Sequence, residues 1–257
     1  MRIASPLRPD AERSLAEMDV ALEAAYDTPE AELGNKADPL DEAIYIILSF
    51  QTDLTRFSST WSRLRAAYPS WGALERAAAR DVARILREGG LHKQKTRTIR
   101  RLLTEVRKVA GSLSLNLLQA MSDEDAEKFL TRLPGLSWKG ARCVLLYSLG
   151  RPVLPIDSNS FRILKRTGVI SRRAVYRRRT LHDAIQEAVP AQRRRALHVN
   201  LVVHGQRTCL PRNPRCPSCP LIDHCPMIGL SAHWRERVIT TMSAATPSDV
   251  VRQLARA

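Results

Sequence analysis

Apolar positions recur at three- and four-residue intervals through most of the chain, with almost no two-residue alternation, and this pattern predicts an all-α fold. Residues 9–27 read as an acidic amphipathic helix with Leu15, Met18, Leu22 and Tyr26 along one side, a packing face rather than a chemical one. A loop with Pro29, Gly34 and Pro39 follows. Residues 41–50 then read as an almost wholly apolar helix, which belongs in a core, ending in the polar Gln51, Thr52 and Asp53. A run of short helices fills residues 54–109, with Trp61, Leu64, Tyr68, Trp71, Leu74, Val82, Ile85 and Leu86 as core candidates. Gly89 and Gly90 break that run and leave Leu91 at a loop tip beside lysines, before a basic helix restarts with Arg97, Arg100 and Arg101.

The densest turn chemistry lies further on. Ser122, Asp123, Glu124 and Asp125 cap and charge the start of a helix that carries Ala126, Phe129 and Leu130 on one face and stops at Pro134. Leu133-Pro134-Gly135-Leu136-Ser137-Trp138-Lys139-Gly140-Ala141 reads as a tight turn into a second helix, because Ala141, Val144, Leu145 and Leu149 recur at helical spacing. Cys143 falls on its apolar side and reads as core. A hairpin that presents backbone N–H groups at the start of its second helix suits a phosphate. Beyond Gly150, Pro152 and Pro155 hold the chain extended into Asp157, Ser158 and Asn159, where Asp157 or Ser158 can cap the next helix.

Size and charge narrow the reading. The 257 residues are enough for two modest domains or one large one. No apolar run approaches the roughly 18 residues needed to span a bilayer, and residues 1–10 show neither a signal-peptide core nor a transit-peptide composition. A soluble, intracellular protein is expected. The net charge of +15 is unevenly placed: residues 1–45 hold 4 Lys/Arg against 11 Asp/Glu, and residues 46–257 hold 37 against 15. A basic body of that size points to a polyanion such as nucleic acid, the plain alternative being a solvated surface that keeps the protein soluble. The clusters Arg172, Arg173, Arg177, Arg178, Arg179 and Arg193, Arg194, Arg195 read as solvated helix faces.

Four of the five cysteines fall within 17 residues, as Cys209-x6-Cys216-x2-Cys219-x5-Cys225. Disulfides do not suit an intracellular chain, so clustered thiolates point to a metal. Spacing alone leaves zinc and iron–sulfur both open, although zinc sites more often show two short pairs and here only Cys216 and Cys219 make one. Arg212 and Arg215 lie between the first two cysteines, placed to meet backbone phosphates.

The hairpin with Lys139, the Asp157 segment 18 residues later and the four-cysteine loop with Val203-His204-Gly205 before it occur in the order and spacing of the endonuclease III family of helix-hairpin-helix DNA glycosylases, which the chain resembles over about residues 40–228. The resemblance implies an all-α fold of two helical domains with a C-terminal iron–sulfur loop. Its expected division is an N-terminal acidic helix (1–39) packing on the cluster domain, a helical barrel with the hairpin (40–151), the cluster domain (152–230) and a C-terminal extension (231–257) in which only a short helix is expected. Double-stranded DNA holding a damaged base or an abasic site would lie in the cleft between the domains, bound by a monomer, in the cytoplasm or on a nucleoid, with no membrane. Lys139 and Asp157 stand at the catalytic positions, Cys209, Cys216, Cys219 and Cys225 at those of the 4Fe-4S ligands, and Asn159 in the substrate pocket. Gln51 stands where the family's glutamine fills the gap left by a flipped base, Leu91 where an apolar wedge enters the stack, and Gly135 and Ser137 in the phosphate-binding turn.

The implied activity is base excision with an abasic-site lyase step on oxidised pyrimidines, in which a lysine amine attacks the sugar and leaves a Schiff base. The alternatives are a mismatch-thymine or 5-methylcytosine glycosylase of the same superfamily and a non-catalytic DNA-binding protein. Three positions depart from the family pattern: Ser137 replaces a usual glycine, Trp138 stands where arginine is frequent, and Ser158-Asn159 replaces threonine-histidine.

Overall fold

The computed structural model describes residues 5–26 and 33–244. In chain order its helices are α1 (Ala11–Tyr26), α2 (Pro39–Ser49), α3 (Leu54–Ala67), α4 (Trp71–Arg76), α5 (Ala79–Ile85), α6 (His92–Ala110), α7 (Asp123–Arg132), α8 (Trp138–Leu149), α9 (Ser158–Arg166), α10 (Arg179–Glu187), α11 (Arg194–Arg207) and α12 (Ala232–Ala244). The all-α expectation holds, and an isolated bridge between Leu7 and Ile170 is the one β-type pairing among the described residues. The chain divides into two compact units, residues 30–155 and residues 1–29 with 156–257.

In the unit of residues 30–155, α2 and α8 are the central pair, and α7 packs on α8. Helix α2 begins at Pro39, two residues before the expected start, because Asp38 caps it: its carboxylate accepts from the N–H groups of Leu40 and Asp41 at 2.9 and 2.8 Å. All its residues from Ala43 to Leu48 are buried, as the apolar pattern requires. Leu64, Trp71, Leu74, Val82 and Leu86 are core, while Trp61, Tyr68 and Ile85 are half-buried against it. The expected succession of short helices gives way at α6 to one of 19 residues, whose Ile99, Leu102, Leu103 and Val106 face the core. Arg142 of α8 is buried too, 1% exposed, with its Nε 3.2 Å from the carboxylate of Glu127 on α7. Each of those charges would be costly alone in that place; together they tie the two arms of the hairpin.

In the other unit α11 is the axis, buried on all sides from Leu197 to Gly205, with α1 and α9 packed against it. Helix α1 buries Leu15, Met18 and Leu22, while Tyr26 is half-exposed and donates or accepts at 2.8 Å with both His204 Nδ1 and Thr208 Oγ1. Asp27 and Pro29 lie outside the described residues. Arg193 is not part of a solvated face: its guanidinium holds Asp19 and Glu23 of α1 at 2.6 and 2.7 Å. Helix α12 packs on the turn Cys216–Ser218, and the residues after Ala244 lie outside the described part.

Candidate functional site

The hairpin between α7 and α8 is built as its sequence requires. Ser122 caps α7 through the Asp125 N–H at 3.1 Å, and Ser137 caps α8 through the Gly140 N–H at 3.5 Å. Gly135 turns the chain at φ +88°, and a Cβ there would overlap the Thr98 methyl and press on Ile47, so the position needs glycine for both its conformation and its space. Lys139 stands in the first turn of α8.

One carboxylate near Lys139 is not evident from the sequence pattern. Glu42, in the first turn of α2, is fully buried, and its oxygens accept from the Asn35 side-chain amide at 2.5 Å and the Lys36 N–H at 2.7 Å. Burial pushes its carboxyl up to about 7, against those two hydrogen bonds and the positive charges of Lys139 and Lys36. The available signal is an acid directly before the apolar run of α2, where only one side of the helix start can face water.

Two loops of the same unit carry the expected DNA-contact residues. Gln51 follows α2 at φ 52° and Leu91 precedes α6 at φ 48°, both left-handed without being glycine, a conformation costing about 1–2 kcal/mol each. Gln51 is exposed, and Leu91 is 41% exposed rather than tucked under its helix. Thr52 Oγ1 donates to the Gly89 carbonyl at 2.6 Å, so the loops meet. Lys95, one basic residue among many in the sequence, is buried and contacts both. It shares the core face of α6 with Ile99, Leu102 and Val106, and that spacing is the clue the sequence holds.

In the other unit Asp157 caps α9: its Oδ1 accepts from the Ser160 N–H at 2.7 Å and the Ser160 hydroxyl at 2.9 Å. Its Oδ2 accepts from Asn159 Nδ2 at 2.9 Å. Asn159 Oδ1 in turn accepts from Arg162 Nη2 at 2.9 Å, and the same guanidinium donates to the carbonyls of Gly205 and Cys209 at 2.8 and 3.0 Å. Gly205 leaves the room for this, since a Cβ there would overlap the Asn159 side chain.

The four clustered cysteines line one cavity together with Arg166 and His204. Arg166 donates to Cys209 Sγ at 3.3 Å and to the Leu210 and Pro211 carbonyls at 2.7 and 3.0 Å, and His204 Nε2 stands 3.7 Å from Cys219 Sγ. Burial pushes the thiols of Cys216, Cys219 and Cys225 up, Cys219 to about 12, and pushes His204 down to about 4. Among the described residues no group of three or more His, Cys, Asp or Glu side chains is disposed to hold a metal ion. Arg212 and Arg215 are exposed on the same loop, and Cys143 is buried in the other unit.

No protein-family model matches the sequence. Endonuclease III of Thermotoga maritima is 27% identical over 193 residues, which cover 74% of this chain and 84% of the relative. A candidate DNA glycosylase of Arabidopsis thaliana is 26% identical over 194 residues, 74% of this chain, and the match spans only 65% of the plant protein's length. The structure of a non-covalent endonuclease III–DNA complex superimposes with a TM-score of 0.74 at 20% identity, covering 88% of this chain and 98% of that one. The chain is similar in sequence and in fold to the endonuclease III family of helix-hairpin-helix DNA glycosylases. Sequence and fold agree on this. The likeness in fold covers residues of both compact units. Among the described residues no helix is long and apolar enough to cross a membrane.

Proposed function

We propose that the chain is a DNA glycosylase with abasic-site lyase activity that removes oxidised pyrimidines from double-stranded DNA. The observation that carries this reading is Lys139 in the first turn of the hairpin's second helix, a position that joins an amine to a phosphate-binding turn. In its neutral form the Lys139 amine attacks C1′ of a flipped nucleotide, and the C1′–N bond breaks as the base leaves with the bonding electrons and takes up a proton. Loss of a proton from the new C–N linkage and opening of the sugar ring give the imine. Withdrawal of electrons by that imine acidifies C2′, whose proton leaves as the C3′–O bond breaks, nicking the strand. Asp157 stabilises positive charge developing on the sugar, as carboxylates do in glycoside cleavage. Its bonds to the Ser160 N–H and hydroxyl and to Asn159 hold that carboxylate in place.

The cysteine loop supplies the donor set of a 4Fe-4S cluster, four thiols lining one cavity with the Arg166 guanidinium beside Cys209 to offset thiolate charge, although the side chains as placed are not gathered around a metal ion. Thiols that burial keeps protonated ionise on taking up iron. When bound, the cluster would cross-link the loop that presents Arg212 and Arg215; it has no part in the steps above.

Asn159 favours a second reading. A carboxamide in place of the family's imidazole changes the hydrogen bonds offered near the pocket, and such a change alters substrate choice more than one of volume does. Excision rates on duplexes carrying thymine glycol, dihydrouracil, a G·T mismatch or 5-methylcytosine decide between the two. Fastest excision of thymine glycol supports oxidised pyrimidines, and faster excision of either of the last two establishes the mismatch-thymine or 5-methylcytosine activity. Binding without excision of any of them leaves a non-catalytic DNA-binding protein.

A further inference from the structure

We propose that Lys95 is a positioning residue that clasps the Gln51 and Leu91 loops into a single preformed wedge for entering the base stack. The proposal rests on the glycosylase reading above. Lys95 lies in the first turn of α6, four residues after Leu91, and is 3% exposed. Its ammonium has three N–H donors and three acceptors: the Leu48 carbonyl at 2.7 Å, Thr52 Oγ1 at 2.6 Å and the Gly89 carbonyl at 2.6 Å. The first two flank Gln51 in sequence and the third precedes Leu91 by two residues. The Thr52 hydroxyl closes the arrangement by donating to the same Gly89 carbonyl at 2.6 Å.

Three features give the clasp a function beyond ordinary packing. Both residues it brackets hold left-handed conformations that non-glycine residues seldom adopt, and strain of that kind persists only where the surroundings over-determine it. Both loops expose apolar side chains, Phe50 at 37% and Leu91 at 41%. A wedge must also be stiff before it meets DNA, because loops ordered only on binding subtract their lost entropy from the unstacking they perform. A compact ammonium suits the site: three converging acceptors match its three donors, whereas a planar guanidinium would need more room and a different fan of acceptors.

The test uses a duplex in which 2-aminopurine adjoins a tetrahydrofuran abasic analogue, so that its fluorescence rises when the wedge unstacks it. Lys95→Met and Leu91→Ala are each expected to lower that rise and the excision rate on a paired lesion at least tenfold, and the double variant to fall no more than about twofold below either single one, because both changes disable one device. Thr52→Ser, which keeps the hydroxyl, is expected to retain wild-type unstacking, and Thr52→Val to lose it; this pair carries the test if Lys95→Met does not fold. Losses that multiply in the double variant, or wild-type unstacking in Thr52→Val, would overturn the proposal. If the wild-type protein neither unstacks nor excises any lesion, the glycosylase reading itself fails, an outcome distinct from an active enzyme indifferent to Lys95 and Thr52.

Discussion

Asn159 holds Asp157 from two residues away, its Nδ2 donating to Oδ2 at 2.9 Å, while the other carboxylate oxygen caps the helix that carries them both. Capping uses one oxygen of that carboxylate, and substitutions separate it from the chemistry proposed for Asp157. Asp157→Asn retains a good capping residue and is expected to change stability by less than about 1 kcal/mol, whereas Asp157→Ala loses the cap and roughly 1–2 kcal/mol. Both are expected to lower excision at least a hundredfold. Equal unfolding midpoints for the two variants, measured in urea, would contradict the capping assignment.

Glu42 gives a pH dependence with a definite sign. Its folded carboxyl is raised from 4.5 to about 7, so the native state binds a proton more tightly than the unfolded chain. The stability this contributes is fully present below 4.5 and is lost as pH rises through 7, up to about 3 kcal/mol by linkage. In Glu42→Gln that slope is expected to vanish, and Asn35 Oδ1, buried without a hydrogen bond, can turn to accept from the new amide. Unfolding free energies of the two proteins that run parallel between pH 4.5 and 7 would contradict the assignment.

The helices of the core were legible in the sequence because burial of α2, α8 and the inner faces of α3 to α6 follows periodicity alone. The hairpin and the cap at Asp157 were legible because their turn chemistry is local. What escaped depends on contacts between residues far apart in the chain. Lys95 is one basic residue among many until its acceptors at Leu48 and Thr52, more than 40 residues earlier, are folded against α6. Arg193 looked like part of a basic face for the same reason, since the acids it holds lie about 170 residues earlier.

Arg212 and Arg215 are exposed on the cysteine loop, and each is expected to contact a phosphate. Either alanine variant should weaken binding to all sequences alike and reduce the slope of log affinity against log salt by roughly one unit for each phosphate no longer neutralised. Unchanged slopes in both variants would take the loop off the DNA.

Protein purified without oxygen is expected to be yellow-brown, with broad absorbance in the visible blue, and to contain iron and sulfide in equal amounts. Cys219→Ser should lose the colour and the loop's resistance to proteolysis. Colourless protein holding stoichiometric zinc would replace the cluster with a zinc site.

The central claim is that Lys139 is the amine nucleophile, and borohydride trapping on a duplex carrying thymine glycol tests it most directly. Wild-type protein is expected to become covalently attached to the DNA, and Lys139→Gln to give no adduct while still binding the duplex, because only an amine forms a reducible imine. An adduct that persists in Lys139→Gln would contradict the assignment.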